Sequence, residues 1–269
     1  LALIKSANFL FESSDDFMNF VRELFIDFSK AFDIIDHTVL FKKLIDGKFP
    51  PHIVAWSLSF LQDRFQYVKV GNLLSSACVV NAGAPQGTRA GPDDFRLIIN
   101  DLLFSLPCVK YVDDVTVASV SRDSSDNRLQ KAVDYLMHWC TDNGMRLNIA
   151  KTKEMIVHFG RRELSNAVPM LSIRASNVER VTTFKLLGVF FSSDLSWSAH
   201  ISYILKKSAK RLYVVYQLVR AGINTRDIVS VYCSLIRSIL EYACPVWHAG
   251  LTVAQSNDLE SVQKRVLRI

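Results

Sequence analysis

The pattern of apolar residues changes once along the chain, and that change does most to limit the folds open to it. Up to about residue 193, short β-prone runs alternate with helical periodicity; from Asp194 onward only helical periodicity remains, over about 198–220, 225–243 and 255–269. Such a chain is expected to be α+β, with a mixed sheet-and-helix domain over 1–193 and a helical one over 194–269. Its 269 residues are enough for both cores. With 49% hydrophobic and 22% charged residues the composition is globular, which excludes a disordered chain. No apolar run approaches the roughly 18 to 20 residues that cross a bilayer, so a soluble protein without a membrane partner is expected. Five cysteines, odd in number and without CxxC spacing, fit reduced thiols and an intracellular setting.

Local signals divide the first part further. An apolar helix opens the chain, a polar loop follows at 12–16, and a strand leads into Leu24-Phe25-Ile26-Asp27. Asp36 is placed to cap a helix that starts near Thr38, and Pro50-Pro51 precedes another carrying Ile53, Trp56, Phe60 and Leu61. Phe65 to Val70 and Leu73 to Asn81 read as a hairpin around Gly71-Asn72. A Gly/Pro turn at 83–92 precedes a helix through Phe95, Ile98, Ile99, Leu102 and Leu103. Two short strands flank Asp113-Asp114, and Gly144 is placed to end a helix over Leu129 to Cys140. Further strands are expected at 146–149 and 154–159, and a strand pair around 171–191.

The net charge of +6 is unevenly placed. Residues 195–269 hold 10 Lys and Arg against 4 Asp and Glu, whereas the first 194 hold 22 of each. On the helix over 198–220, Lys206, Lys207, Lys210 and Arg211 fall within an arc of about 140° at 100° per residue. A solvated amphipathic face is the commoner meaning of such an arc; a polyanionic partner is the other.

Three acidic residues stand where acid is structurally awkward. Asp27 ends an apolar strand, and Asp113-Asp114 lie between Val109-Lys110-Tyr111-Val112 and Val115-Thr116-Val117. Clustered carboxylates repel unless a cation neutralises them, and hard oxygen ligands suit Mg²⁺. Taken alone, Asp113-Asp114 equally suits a hairpin turn.

Their surroundings carry a resemblance. Phe25-Ile26-Asp27-Phe28-Ser29-Lys30-Ala31-Phe32-Asp33 resembles the first palm motif of reverse transcriptases, in the form found in jockey-like non-LTR retrotransposons. Gly83-Ala84-Pro85-Gln86-Gly87-Thr88, with Gly91-Pro92 and Ile99-Asn100-Asp101-Leu102, resembles the second motif, and Tyr111-Val112-Asp113-Asp114 the third. Leu147-Asn148 with Lys151-Thr152-Lys153 is similar to the fourth, and Phe184-Lys185-Leu186-Leu187-Gly188 to the primer grip. The order is that of the family, and the likeness runs from about residue 24 to the end.

The resemblance implies an RNA-directed DNA polymerase with a palm, an antiparallel sheet with helices on one face, followed by an α-helical thumb. Asp27 and Asp113 would hold two Mg²⁺ ions, with Mn²⁺ as the alternative ion and Asp114 in support. Phe32 would exclude a ribose 2′-OH; Pro85, Gln86, Gly87 and Tyr111 would approach the nucleotide and template. Lys151 would protonate departing pyrophosphate, an ordinary turn lysine being the rival reading. Leu186, Leu187 and Gly188 would hold the primer end, and Lys206, Lys207, Lys210 and Arg211 would grip a duplex backbone. The partners implied are an RNA template, a DNA primer and dNTPs, and the location implied is the nucleus.

Two features depart from the family pattern. The chain begins with Leu, and only about two dozen residues precede Asp27, so the fingers are expected to be largely missing. Neither Lys5 nor Arg22 stands convincingly in for the basic residues that would clasp a triphosphate. Arg89, Asp93, Asp94 and Arg96 occupy places where the family favours apolar side chains, and uncompensated charge there would burden the following helix. These departures raise a second reading, an inactive retroelement remnant that only binds nucleic acid.

Overall fold

A computed structural model describes residues 1–13, 20–85, 87–159 and 168–268. The opening helix α1 (Ala2–Ser13) precedes β1 (Phe20–Ile26), all seven residues of which are buried. The end of the polar loop expected at 12–16 lies outside the described residues. In α2 (His37–Asp46) the Asp36 carboxylate caps as expected, accepting from the Thr38 amide at 2.7 Å and the Val39 amide at 3.4 Å. Helix α3 (Pro51–Leu61) starts on a proline, whose missing N–H costs nothing at that position. Strands β2 (Arg64–Gln66), β3 (Lys69–Val70), β4 (Leu73–Leu74) and β5 (Cys78–Val80) form the expected hairpin, with Gly71 at φ +60 in its turn.

Helix α4 (Ala90–Ile98) stops five residues short of the expected end. The Lys43 ammonium takes the Ile98 carbonyl at 2.6 Å, and Lys110 takes that of Ile99 at 2.8 Å, so the helix C-terminus is satisfied by cations. Strands β6 (Cys108–Tyr111) and β7 (Asp114–Ser121) pair antiparallel, Tyr111 opposite Asp114. Helix α5 (Arg128–Asp142) is followed by Gly144 at φ +65. Then come β8 (Lys153–His158), β9 (Ser172–Ile173), β10 (Ser176–Asn177), β11 (Glu179–Arg180), β12 (Thr183–Leu186) and β13 (Val189–Ser192). The strand expected at 146–149 is instead one bridge, Phe28 opposite Leu147, because the chain turns back at Asn148: the amides of Lys151 and Thr152 both donate to its carbonyl.

The main sheet has the order β11-β8-β1-β7-β6. It is mixed rather than wholly antiparallel, since β8 and β11 run parallel, Glu179 beside Lys153 and Arg180 beside Glu154. After β13 the chain is helical: α6 (Ser198–Arg220), α7 (Thr225–Tyr232), a π turn at Cys233–Arg237, α8 (Ser238–Leu240), α9 (Cys244–Trp247) and α10 (Val253–Leu267). By length and composition alone, Thr225–Gly250 is long and apolar enough to cross a membrane, an 18-residue window in it having a mean hydropathy of 1.2, although charged residues interrupt its apolar runs. Here it breaks at Ala243, φ +53, and carries an Arg237–Glu241 ion pair at 2.7 Å.

Packing divides the chain into two compact units. One comprises Arg22–Glu154 and Leu164–Arg180; the other comprises Leu1–Val21, Met155–Glu163 and Val181–Ile269. In the first, Leu24 and Ile26 of β1, Val115 and Val117 of β7 and Val133 and Leu136 of α5 share one core. An ion network is buried there too. Arg22, 3% exposed, donates to Glu154 from Nε at 2.7 Å, Arg180 donates to its other oxygen at 3.0 Å, and Arg22 Nη2 reaches the Pro169 carbonyl at 2.8 Å. In the other unit Leu212 and Val215 of α6 pack with Ile236 and Val262. His200 of α6 is buried beside Trp247 and accepts at Nδ1 from the Phe190 amide at 3.4 Å; burial, then the Lys185 charge, pushes its pKa down to about 4.

Removing Glu154 leaves two guanidinium groups facing each other in the core. Glu154→Leu is therefore expected to cost about 3–5 kcal/mol of stability. Urea denaturation at pH 7 measures this, and a loss under about 1 kcal/mol would contradict it.

Candidate active site

The three awkward carboxylates come from two neighbouring strands. Asp27 follows the last residue of β1, Asp113 sits in the two-residue turn between β6 and β7, and Asp114 begins β7. All three are half-buried. Burial first, then the charges of Asp113 and Asp27, push the pKa of Asp114 up. Among the described residues none of the three carboxylates has an ion pair or a side-chain hydrogen bond. The turn residue Val112 adopts φ +55, a region disfavoured for a β-branched side chain by about 1–3 kcal/mol. Glu23, four residues before Asp27 on β1, is 2% exposed, and burial raises its pKa to about 8.

The segment that turns at Asn148 clamps the end of β1. The Asn148 amide donates to the Asp27 carbonyl at 2.8 Å, the Asp27 amide to Thr152 Oγ1 at 3.3 Å, and the Ser29 amide to the Arg146 carbonyl at 2.8 Å. Lys151 lies on that turn with its side chain exposed. The neighbouring Lys153 is engaged with Glu179.

Beyond Asp27 the chain meets the second motif. The Ala84 amide donates to the Phe32 carbonyl and the Gly83 amide to the Ile35 carbonyl, both at 2.8 Å. His37 donates from Nε2 to the Gly83 carbonyl at 2.8 Å. A Cβ on Gly83 would lie 2.8 Å from the Asp33 carbonyl oxygen, and its φ is +84, so only glycine fits. Phe32 is half-buried against Phe95, ring centroids 5.3 Å apart. Pro85 lines a cavity of about 790 Å³ with Asp33, His37, Arg64, Tyr67 and Gly83. Gln86 lies outside the described residues, Gly87 is exposed at φ +79, and Tyr111 is 54% exposed.

Arg64 was missed in the sequence because nothing in its spacing ties it to Pro85; the β2–β5 pairing does so. Arg22, weighed as a triphosphate partner, is committed to Glu154. Asp101 of the second motif pairs with Lys43 and accepts from Trp139 Nε1 at 3.0 Å, a packing role. Of the four unusual charges, Arg89, Asp93 and Arg96 are exposed, and Asp93 pairs with Arg96 at 3.3 Å. Only Asp94 is buried, at 7% exposure, with Oδ2 unpaired.

The other unit holds the remaining expected residues. Leu186, buried, ends β12, and Leu187 at φ +45 with Gly188 at φ +87 forms the turn to β13. Tyr242 donates to the Leu187 carbonyl at 2.9 Å. Lys206, Lys207 and Lys210 are exposed on α6, but Arg211 is turned inward, donating to the Leu235 carbonyl at 3.0 Å. The sequence also hid an aromatic–cation cluster. Lys185 Nζ lies 3.1 Å from Tyr203 Oη and 4.4 Å from its ring centre, with Phe190 opposite on the hairpin. Lys207 approaches the same ring at 5.7 Å.

A divalent cation fits the first unit's acids electrostatically, since among the described residues no cationic side chain pairs with them. No three or more His, Cys, Asp or Glu side chains converge as a metal cage among the described residues. One or two carboxylates is a number that suits Mg²⁺, which completes its shell with water and phosphate.

The reverse transcriptase (RNA-dependent DNA polymerase) family matches residues 23–191, more than half of the chain. The chain belongs to that family. It is 24% identical, over 99% of its length, to the RNA-directed DNA polymerase from mobile element jockey of Drosophila melanogaster. It is 23% identical, over 90% of its length, to the retrovirus-related Pol polyprotein from type-1 retrotransposable element R1 of Bradysia coprophila. The chain spans 30% and 24% of the lengths of these two relatives. Telomerase from Candida tropicalis, solved with a TWJ fragment of telomeric RNA, superposes with a TM-score of 0.47 at 12% identity, over 91% of this chain and 42% of that one.

Burial, then the Asp93 charge, raises the Asp94 pKa from 3.8 to about 6, with His37 opposing. A folded-state pKa above the unfolded one means that the contribution of Asp94 to stability is greatest below about pH 4 and is lost as pH rises through 6, by up to about 3 kcal/mol. Asp94→Asn is expected to raise Tm at pH 8 and leave it nearly unchanged at pH 4. A Tm difference that does not vary with pH would contradict this.

Proposed function

We propose that this chain carries the RNA-directed DNA polymerase chemistry of its family, extending a DNA primer on an RNA template with dNTPs. The observation that carries the reading is the set of three carboxylates, Asp27, Asp113 and Asp114, at the end of β1 and the tip of the β6–β7 hairpin, none of them paired with a cation among the described residues. On this reading the first unit is the palm and the α6 region a thumb. The primer 3′-OH attacks the α-phosphate of the dNTP and pyrophosphate leaves. Asp27 and Asp113, with Asp114 beside them, would hold divalent ions, which when bound would supply charge neutralisation for that transfer.

The chain's own groups position and select. Phe32, fixed by Phe95 on one side and by its carbonyl bond to Ala84 on the other, is a rigid wall against a 2′-OH. Pro85, Gln86 and Gly87 bound the nucleotide and template, and Arg64 offers the cavity beside Pro85 a cation for a phosphate. Lys151, exposed on the turn that clamps Asp27, protonates the departing pyrophosphate. Leu186, Leu187 and Gly188 hold the primer end. Lys206, Lys207 and Lys210 hold duplex phosphates, with Lys185 and Tyr203 adding to that surface. One observation favours the second reading, an inactive nucleic-acid binder: the unpaired buried carboxylate of Asp94 in the helix that follows the second motif.

Primer extension decides between them. Purified chain with RNA template, DNA primer, dNTPs and Mg²⁺ is expected to incorporate nucleotide, and Asp113→Asn to lower the rate about a hundredfold or more. Phe32→Ala is expected to admit ribonucleotides. No incorporation, with salt-sensitive duplex binding retained, would establish the inactive reading instead.

A further inference from the structure

The loop between Asp27 and Phe32 also walls a cavity of about 330 Å³ that plays no part in the polymerase reading. Its floor is apolar: Cys140, Met145 and Ile173 are 2%, 4% and 1% exposed. Its rim carries three exposed cations, Lys30, Arg146 and Arg174. None of the three has an ion pair or a side-chain hydrogen bond among the described residues. Like charges gathered around one opening repel, and an anion relieves that repulsion.

The backbone adds a second observation. Lys30 adopts φ +51, and Arg174 with Ala175 adopts φ +48 and φ +63 in the two-residue turn between Ile173 and Ser176. Such a turn is ordinarily made by Asn-Gly or Gly-Gly, so an arginine there is held against its conformational preference. Strain of this kind gathers at ligand clamps.

Charge at the rim and apolar surface beneath it select a ligand that has both parts. We propose that this cavity binds a small amphiphilic anion, an aromatic or short aliphatic body in the floor and a carboxylate, sulfate or phosphate head at Lys30, Arg146 and Arg174. Its size, at the low end for ligand pockets, suits a body of two or three rings. A nucleic-acid backbone or pyrophosphate would use the rim and leave the floor empty, which separates those ligands from the one proposed.

The probe is 8-anilinonaphthalene-1-sulfonate, titrated into the full chain and followed by fluorescence, with its uncharged counterpart N-phenyl-1-naphthylamine alongside. The expected result is saturable one-to-one binding of the sulfonate, none of the neutral analogue, and no displacement by equimolar pyrophosphate. The double variant Arg146→Glu/Arg174→Glu, at exposed positions and checked for fold by circular dichroism, is expected to weaken binding about tenfold or more. Absence of saturable binding, unchanged affinity in the double variant, or full displacement by pyrophosphate would each overturn the proposal.

Discussion

Everything around the candidate site answers to the mutual repulsion of Asp27, Asp113 and Asp114. Asp114 feels both neighbours as well as burial, and no cationic side chain pairs with any of the three among the described residues. Folding alone has no reason to gather them, because burial and both neighbouring charges make Asp114 harder to ionise in the fold than in water. What opposes the repulsion is backbone: the β6–β7 pairing with Val112 forced to φ +55, and the three hydrogen bonds by which residues 146–152 grip Asp27 and Ser29. A counter-charge from outside the chain would relieve that repulsion.

The same unit contains the opposite solution at the start of β1. There Arg22 and Arg180 enclose Glu154, so the buried charges balance and the network joins β1, β8 and β11. One strand thus begins in a neutralised cluster and ends beside an unneutralised one. The network holds the strand that leads to Asp27.

Much of this was legible in the sequence where a local rule governs the outcome. Asp36 caps α2, Gly71 turns its hairpin, Gly144 follows α5 and the helical run after Asp194 forms, because each depends on neighbours within a few residues. The motif residues were legible by resemblance, yet their company was not. Leu147 bridges to Phe28 instead of forming a strand, Arg64 reaches the Pro85 cavity through strand pairing, and Lys185 meets Tyr203 across eighteen residues. Arg211 fits the basic arc by periodicity, but the carbonyl of Leu235 draws it inward. Of four charges expected to burden α4, only Asp94 faces the core, since the other three point along its exposed side. The parallel β8–β11 pair depends on a long connection that periodicity does not describe.

The central claim, that Asp27 and Asp113 are matched by a divalent cation, is tested most directly by Mn²⁺ titration of the purified chain with electron paramagnetic resonance detection of the free ion. The account predicts bound Mn²⁺ that Mg²⁺ displaces, with affinity falling about tenfold or more in Asp27→Asn and in Asp113→Asn. Mn²⁺ binding of equal affinity in the chain and in both variants would contradict it.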